Sequence, residues 1–144
     1  MNIQISDIGH LIQLAIAPVF LLNGVGTKLT VLMGRLGRII DRTRVLKDLL
    51  RTGPDAEASE ELEVLHRRWL LINYAITSST VCGLLVCLVI ASLFLGDATD
   101  LPLDKVIAGM FVLAMFALIC SFMFLLREVF ISFHYMRIHD GRGV

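Results

Sequence analysis

Charged residues are scarce in this chain. They make up 18% of its 144 residues, whereas hydrophobic residues make up 56%, and the formal net charge is zero. The mean hydropathy is +0.78, which is too high for a soluble domain of this length, because such a domain needs a largely polar surface. The length leaves room for one domain, and the composition favours a membrane protein.

The chain also lacks the residue patterns of common catalytic and metal-binding sites. It has no HExxH motif, no CxxC motif and no recognisable Ser/His/Asp arrangement. Its cysteines, Cys82, Cys87 and Cys120, all fall in apolar stretches, a position typical of small buried hydrophobic residues. We therefore expect neither an enzyme nor a bound metal or cofactor. We expect no nucleic-acid partner either, because the basic residues lie close to the apolar runs.

Three long apolar runs account for the composition. They cover residues 8–33, 69–95 and 106–126, and each exceeds the roughly 20 residues that a helix needs to cross a membrane core of about 30 Å. Lipid offers the backbone no hydrogen-bond partner, so such runs are expected to be helical. The sequence predicts an all-α membrane protein with three transmembrane helices in a single integral membrane domain, residues 1–144.

The basic residues are unevenly distributed between the connections. Nine of the 13 lysines and arginines lie between residues 28 and 68, whereas the connection after the second run contains only Lys105 among several aspartates. Because basic residues accumulate on the cytoplasmic side, this distribution predicts an N-terminus outside the cell. It also predicts a cytoplasmic central connection and a cytoplasmic C-terminus.

The central connection shows the spacing of two packed helices. Apolar residues recur at steps of three and four from Leu32 to Leu50 and again from Leu62 to Ile76, with Trp69 in the second series. The turn residues Thr52 to Asp55 separate them. This pattern predicts a cytoplasmic antiparallel coiled-coil hairpin at about residues 34–68, formed by extensions of helices 1 and 2. A C-terminal cytoplasmic helix, about 127–140, is expected to pack beside it.

A polar stripe follows one face of the first helix, while the opposite face is apolar. Glutamine and asparagine are costly in lipid, so this stripe needs a polar partner. That partner is either another span of the same chain or the same helix of other subunits around an axis, where such residues would line a water path. The candidate residues are Gln13, Phe20, Asn23, Thr27, Thr30, Gly34, Gly37 and Asp41.

A basic collar follows the first apolar run. It consists of Arg35, Arg38, Arg42 and Arg44. Such a cluster attracts anionic lipid headgroups at about 1 kcal/mol per cation. Alternatively, it forms an electrostatic ring at the inner mouth of an oligomeric pore. Glu128, two residues after the end of the third run, is expected to pair with an arginine of this collar.

Two motifs carry a resemblance to a known family. They are Ala17-Pro18-Val19-Phe20-Leu21-Leu22 and the more specific Arg35-x-x-Arg38-Ile39-x-Asp41-Arg42-x-Arg44. The chain resembles, over nearly its whole length, a bacterial family of short three-span integral membrane proteins without an assigned function. The resemblance implies a bacterial inner-membrane location and the same three-span topology, and it adds little on activity.

Together these features predict a homo-oligomeric small membrane protein that forms an ion channel or pore lined by the first helix. The alternative is a membrane-anchored scaffold or accessory subunit, whose cytoplasmic hairpin binds a protein partner or anionic lipid. The oligomeric state distinguishes the two hypotheses, because the scaffold does not need a symmetry axis.

Overall fold

The described part of the chain forms three long α-helices. The computed structural model describes residues 5–99 and 102–140, and it describes side chains for residues 8–99 and 102–137. Helix α1 spans Ile5–Thr52, α2 spans Ala56–Thr99 and α3 spans Asp104–Asp140. Each apolar run predicted from the sequence lies inside one of these helices, and each helix is longer than its run.

The described residues contain three helices that are long and apolar enough to cross a membrane, judged by length and composition. The prediction of an all-helical chain with three such helices is confirmed. Because their composition suits lipid and not water, the helices indicate a small membrane protein.

The connection between α1 and α2 is as short as the turn residues predict. Only Gly53, Pro54 and Asp55 separate the two helices. Asp55 caps α2: its carboxylate accepts hydrogen bonds from the backbone N–H groups of Glu57 and Ala58 at 3.0 and 3.3 Å. This cap satisfies N–H groups that have no partner within the helix, so the position of the turn is fixed by its own sequence.

The helices divide into two compact units. Unit 1 comprises Met1–Leu29 and Ser78–Ile119, and unit 2 comprises Thr30–Thr77 and Cys120–Val144. In unit 1, a small core of Val25, Cys82, Val86 and Ala114 is buried. Around that core lie partly buried side chains from the apolar face of α1 and from α2 and α3, such as Leu22, Leu85 and Leu118.

Unit 2 has a longer apolar core that follows the predicted seam. Ile39 and Leu46 of α1 pack with Leu65 and Ile72 of α2, and Ala58 joins them near the turn. Trp69, which the spacing placed in this seam, is instead 39% exposed. Its ring stacks on His66 at a centroid distance of 5.9 Å, because residues three apart on a helix are neighbours on its surface.

The cysteines do not share one environment. Cys82 is buried, whereas Cys87 and Cys120 are exposed. The expectation of three buried cysteines is therefore wrong for two of them. An apolar run fixes only that a helix is compatible with lipid, and it does not determine which side chains face a neighbouring helix.

Candidate functional site

The polar stripe of α1 lies on the surface of unit 1. Gln13, Asn23 and Thr27 are all exposed, and Phe20, on the same stripe, is 73% exposed. The opposite face of the helix is packed within the chain, with Ala15, Pro18 and Val25 buried. The apolar face is therefore the one used for packing within the chain.

The polar groups of the stripe differ in how they are satisfied. The Thr27 hydroxyl donates a hydrogen bond to the Asn23 backbone carbonyl at 3.1 Å, within the same helix. The side-chain amides of Gln13 and Asn23 remain on the exposed surface, and an amide facing hydrocarbon without a partner is costly. Gln13 and Asn23 are therefore the residues of the stripe that most need a polar partner outside the chain.

The stripe is also accessible within unit 2. Thr30, Gly34 and Asp41 are exposed, and Gly37 is half-buried. A Cβ atom built on Gly34 or Gly37 would meet no other side chain or neighbouring helix within 4 Å. Packing among the described residues thus does not require these positions to be glycine.

A buried charged cluster joins the three helices in unit 2. The Glu128 carboxylate on α3 is fully buried. The Arg35 Nη1 of α1 donates to its Oε2 at 2.5 Å, and the Arg68 Nε and Nη2 of α2 donate to its Oε1 at 2.9 and 2.8 Å. Each helix thus contributes one member of this Glu128 cluster.

The Glu128 cluster has one negative and two positive charges. A carboxylate taken out of water needs paired charges and hydrogen bonds to offset its lost hydration, and the two guanidinium groups supply both. Their side chains are 36% and 23% exposed, against 0% for Glu128. The arrangement holds the helices in register and leaves positive charge at the surface.

A second ion pair joins α1 and α2. The Arg42 Nε and Nη2 donate to the two Glu61 carboxylate oxygens at 2.7 and 2.9 Å. This bidentate bond to Glu61 raises the pKa of Arg42. Burial, followed by the negative charges of Glu61, Glu60 and Glu57, raises the pKa of the Tyr135 hydroxyl.

These groups surround a small cavity in unit 2, which we call the arginine pocket. Its volume is about 130 Å³. Its walls combine three arginines with one acid, one tyrosine and three aliphatic side chains. The lining residues are Arg38, Ile39, Arg42, Glu61, Val64, Leu65, Arg68 and Tyr135.

The sequence pattern of the DUF2721 family, described as a protein of unknown function, matches residues 15–138. The chain belongs to the DUF2721 family. The matched residues include the Glu128 cluster, the arginine pocket and the stripe from Phe20 onward, and Gln13 lies before them. Neither a curated protein nor a solved structure matches the chain. Membership of DUF2721, together with three apolar helices, supports a small membrane protein whose function is not assigned.

In this DUF2721 protein, the four arginines of the predicted collar lie in different environments. Arg35 bonds to Glu128, and Arg38 and Arg42 line the arginine pocket. Arg44 lies instead along a separate groove between α1 and α2, lined also by Ile40, Thr43 and Leu62. The four arginines therefore do not act as one ring within a single chain.

Sequence reasoning did not assign Arg68, Glu61 or Tyr135 to the DUF2721 site. A usable signal existed for Arg68, because it lies three residues after Leu65 and four before Ile72, on the packed face of α2. No comparable signal singled out Tyr135.

Proposed function

We propose that this protein is a homo-oligomeric membrane protein that forms an ion channel, with the polar face of α1 lining its axis. The observation that carries the proposal is the exposure of Gln13, Asn23 and Thr27 on unit 1, while the opposite face of α1 is buried. A polar face at membrane depth is stable when it meets another polar face or water. Copies of α1 around an axis would provide both.

The sequence predicts the orientation of the proposed channel in the membrane. The charge distribution favours an N-terminus outside and the α1–α2 hairpin in the cytoplasm. In that orientation Asn23 and Thr27 lie at mid-membrane, and Asp41 with the collar arginines lies near the inner mouth. Rings of such side chains select ions by charge.

The proposal is tested with the full chain in liposomes. The double variant Asn23→Leu with Thr27→Leu removes the polar groups at mid-membrane and adds only apolar surface. We expect the wild-type protein to conduct a monovalent ion, measured with an entrapped fluorescent indicator, and we expect the variant to lose most of this flux. The subunit number is measured in parallel by single-molecule photobleaching in lipid nanodiscs.

A matched control places leucine on apolar positions that are already exposed. Val112 and Ile119 of α3 are 54% and 53% exposed, so Val112→Leu with Ile119→Leu should leave the flux unchanged. Equal flux in the wild type and the Asn23/Thr27 variant would refute a path lined by α1. A strictly monomeric protein in the bilayer would refute the oligomer.

One observation favours a second function, that of a scaffold whose hairpin binds a protein. The groove between α1 and α2 in unit 2 has a volume of about 690 Å³, and Val45 and Leu49 on the same stretch of α1 are 58% and 48% exposed. An apolar groove with exposed aliphatic side chains is typical of helix-binding surfaces. A monomer without ion flux that binds a defined amphipathic helix, with affinity lost in Leu62→Glu, would support this function over the channel.

A further inference from the structure

The arginine pocket has the size and the donors of a site for a tetrahedral oxyanion. Its volume of about 130 Å³ equals roughly four water molecules at about 30 Å³ each, which suits a phosphate group with its four oxygens. Arginine is the side chain best suited to phosphate, because its planar fork offers several N–H groups at once. Three arginines and Tyr135 line this one cavity.

The ion pairs leave part of each guanidinium group available. Arg42 and Arg68 use Nε and Nη2 to bind Glu61 and Glu128, so the Nη1 groups of both are not used in those pairs. Arg38 makes no ion pair with any residue in the ranges 8–99 and 102–137, for which side chains are described. The pocket therefore contains donors beyond those that maintain the fold.

The charge balance also favours an anion. The pocket and the adjoining Glu128 cluster contain four arginines (Arg35, Arg38, Arg42 and Arg68) and two carboxylates. The formal surplus of these groups is two positive charges, which the nearby carboxylates of Glu57 and Glu60 reduce on the side of Tyr135. Glu128 is fully buried and Glu61 is held by Arg42, so the two acids are already occupied and an incoming anion meets the surplus.

The pocket lies at the end of the apolar runs. Arg68 directly precedes the second run, and Arg35 and Glu128 lie two residues beyond the first and third runs. The helical rise places Arg38 about 4.5 Å and Arg42 about 10 Å beyond Arg35 along α1. The interfacial layer on each side of a bilayer is roughly 5–7 Å thick. Arg38 and Arg68 therefore fall at the depth of lipid headgroups, and Arg42 lies at its outer edge.

We propose that the arginine pocket binds a phosphoryl anion, carried either by the headgroup of an anionic lipid or by free phosphate. Arg38 and Arg68 contact the phosphoryl oxygens first, with Arg42 completing the site. The site is independent of the proposed channel, because the residues of one chain form it and it needs no oligomer.

Glu61 makes the proposal distinctive, because it predicts an effect of opposite sign. Its carboxylate lines the pocket beside the arginines and opposes an incoming anion. Glu61→Gln should therefore strengthen anion binding while it weakens the bond between α1 and α2. A site in which Glu61 serves only to hold Arg42 in place would show weaker binding instead.

The test uses Trp69, the only tryptophan in the chain, which is 39% exposed and adjoins Arg68. The full chain is placed in phosphatidylcholine nanodiscs containing a small fraction of phosphatidylglycerol with a dansyl group on its acyl chain. Energy transfer from Trp69 then reports enrichment of the anionic lipid, relative to dansyl-labelled phosphatidylcholine. We expect Arg38→Gln to lower this enrichment about tenfold, the effect of one lost charge-assisted hydrogen bond, and Glu61→Gln to raise it.

Arg67→Gln is the matched control. It removes the same charge at the same depth, on a side chain that is 70% exposed and pairs with Glu63 outside the pocket. It should leave the enrichment unchanged, and the thermal unfolding midpoints of all variants verify their folding. Equal losses in the Arg38 and Arg67 variants would reduce the effect to general surface charge and overturn the pocket.

Repeating the energy-transfer measurement with inorganic phosphate at constant ionic strength distinguishes a lipid headgroup from free phosphate as the ligand. Enrichment that persists in phosphate identifies the lipid headgroup as the ligand. Enrichment that phosphate abolishes in the wild type identifies the free ion, provided that Arg38→Gln also loses phosphate binding in calorimetry. The absence of both lipid enrichment and phosphate binding would refute the proposal.

Discussion

Units 1 and 2 of the same three helices are held together in different ways. Unit 1 packs small side chains, Val25, Cys82, Val86 and Ala114, against one another, and it also buries Lys28 and Ser79. Unit 2 combines a longer aliphatic core with ionic bonds from Glu128 to two other helices. Unit 1 is therefore stabilised mainly by close packing, and unit 2 by packing together with ionic bonds.

The difference follows from the surroundings that each composition suits. Lipid tails are as apolar as leucine, so helices in a membrane gain little from burying apolar surface and depend on close packing. Where the apolar runs end, water competes for polar groups, and a buried ion pair restricts which helices can meet. Each of the following substitutions tests this contrast.

The largest effect is expected for Glu128→Gln. The substitution preserves shape but removes the negative charge between Arg35 and Arg68, and breaking a buried pair in this way costs about 3–5 kcal/mol. The free energy of unfolding, measured by denaturant titration in detergent, should fall by that amount. Glu63→Gln, on a side chain that is 71% exposed, should change it by less than about 0.5 kcal/mol. Similar losses in both variants would contradict the role of the cluster.

A smaller effect is expected for Val86→Ala in unit 1. Val86 is fully buried, so its truncation leaves a cavity and removes packing contacts, with a cost of about 1–2 kcal/mol. Leu88→Ala is the matched control, because Leu88 is on the same helix and is 45% exposed. Stability is measured in the same denaturant titration. An equal loss in Leu88→Ala would contradict the claim that close packing around Val86 stabilises unit 1.

Ser121→Ala tests a single neutral hydrogen bond in unit 2. The buried Ser121 hydroxyl on α3 donates to the Ala75 carbonyl on α2 at 2.6 Å. Such bonds contribute about 0.6 kcal/mol on average in membrane proteins, so the loss should be well below that of Glu128→Gln. Cys120→Ala, at the exposed neighbouring position, is expected to be neutral. A loss as large as that of Glu128→Gln would show that charge is not the main difference between the units.

The smallest effect is the alkaline titration of Tyr135. Burial and the nearby Glu61 raise its pKa above the ordinary value of 10.0. The folded state therefore holds the proton more tightly than the unfolded state does. The resulting stability is present below pH 10 and is lost as the pH rises through the folded-state pKa. In a Tyr74→Phe background, phenolate absorbance should appear at a higher pH than for free tyrosine. Glu61→Gln should lower the pH at which it appears.

Residue spacing was sufficient to predict the helices and most of the apolar seam. Leu36, Ile39, Leu46 and Leu65 could be identified because a helix repeats every 3.6 residues. The turn was predictable from Gly53 and Pro54, which end helices locally. These features depend on the chain near each residue, and the sequence contains that information directly.

Contacts between helices were harder to predict from the sequence. The sequence suggested an arginine of the collar as the partner of Glu128, but it did not show that Arg68 would occupy the second side. It also did not distinguish Glu61 from Glu60 or Glu63 as the partner of Arg42. These choices depend on the rotation of each helix about its axis, which the packing of all three helices sets together. The exposure of Trp69 and Cys87 reflects the same limit.

The cap formed by Asp55 and the position of Glu128 have a consequence for the order of biosynthesis. The α1–α2 turn is complete as soon as Ala58 is made, whereas Glu128 follows Arg68 by 60 residues. At about 5–20 residues per second, that interval lasts roughly 3–12 s. Throughout it, Arg35 and Arg68 lack the carboxylate that both will bind, and their mutual repulsion opposes closure of the hairpin there. We therefore expect this end of α1 and α2 to pack firmly only when α3 arrives, so that the last helix to be synthesised fixes the arrangement of the first two.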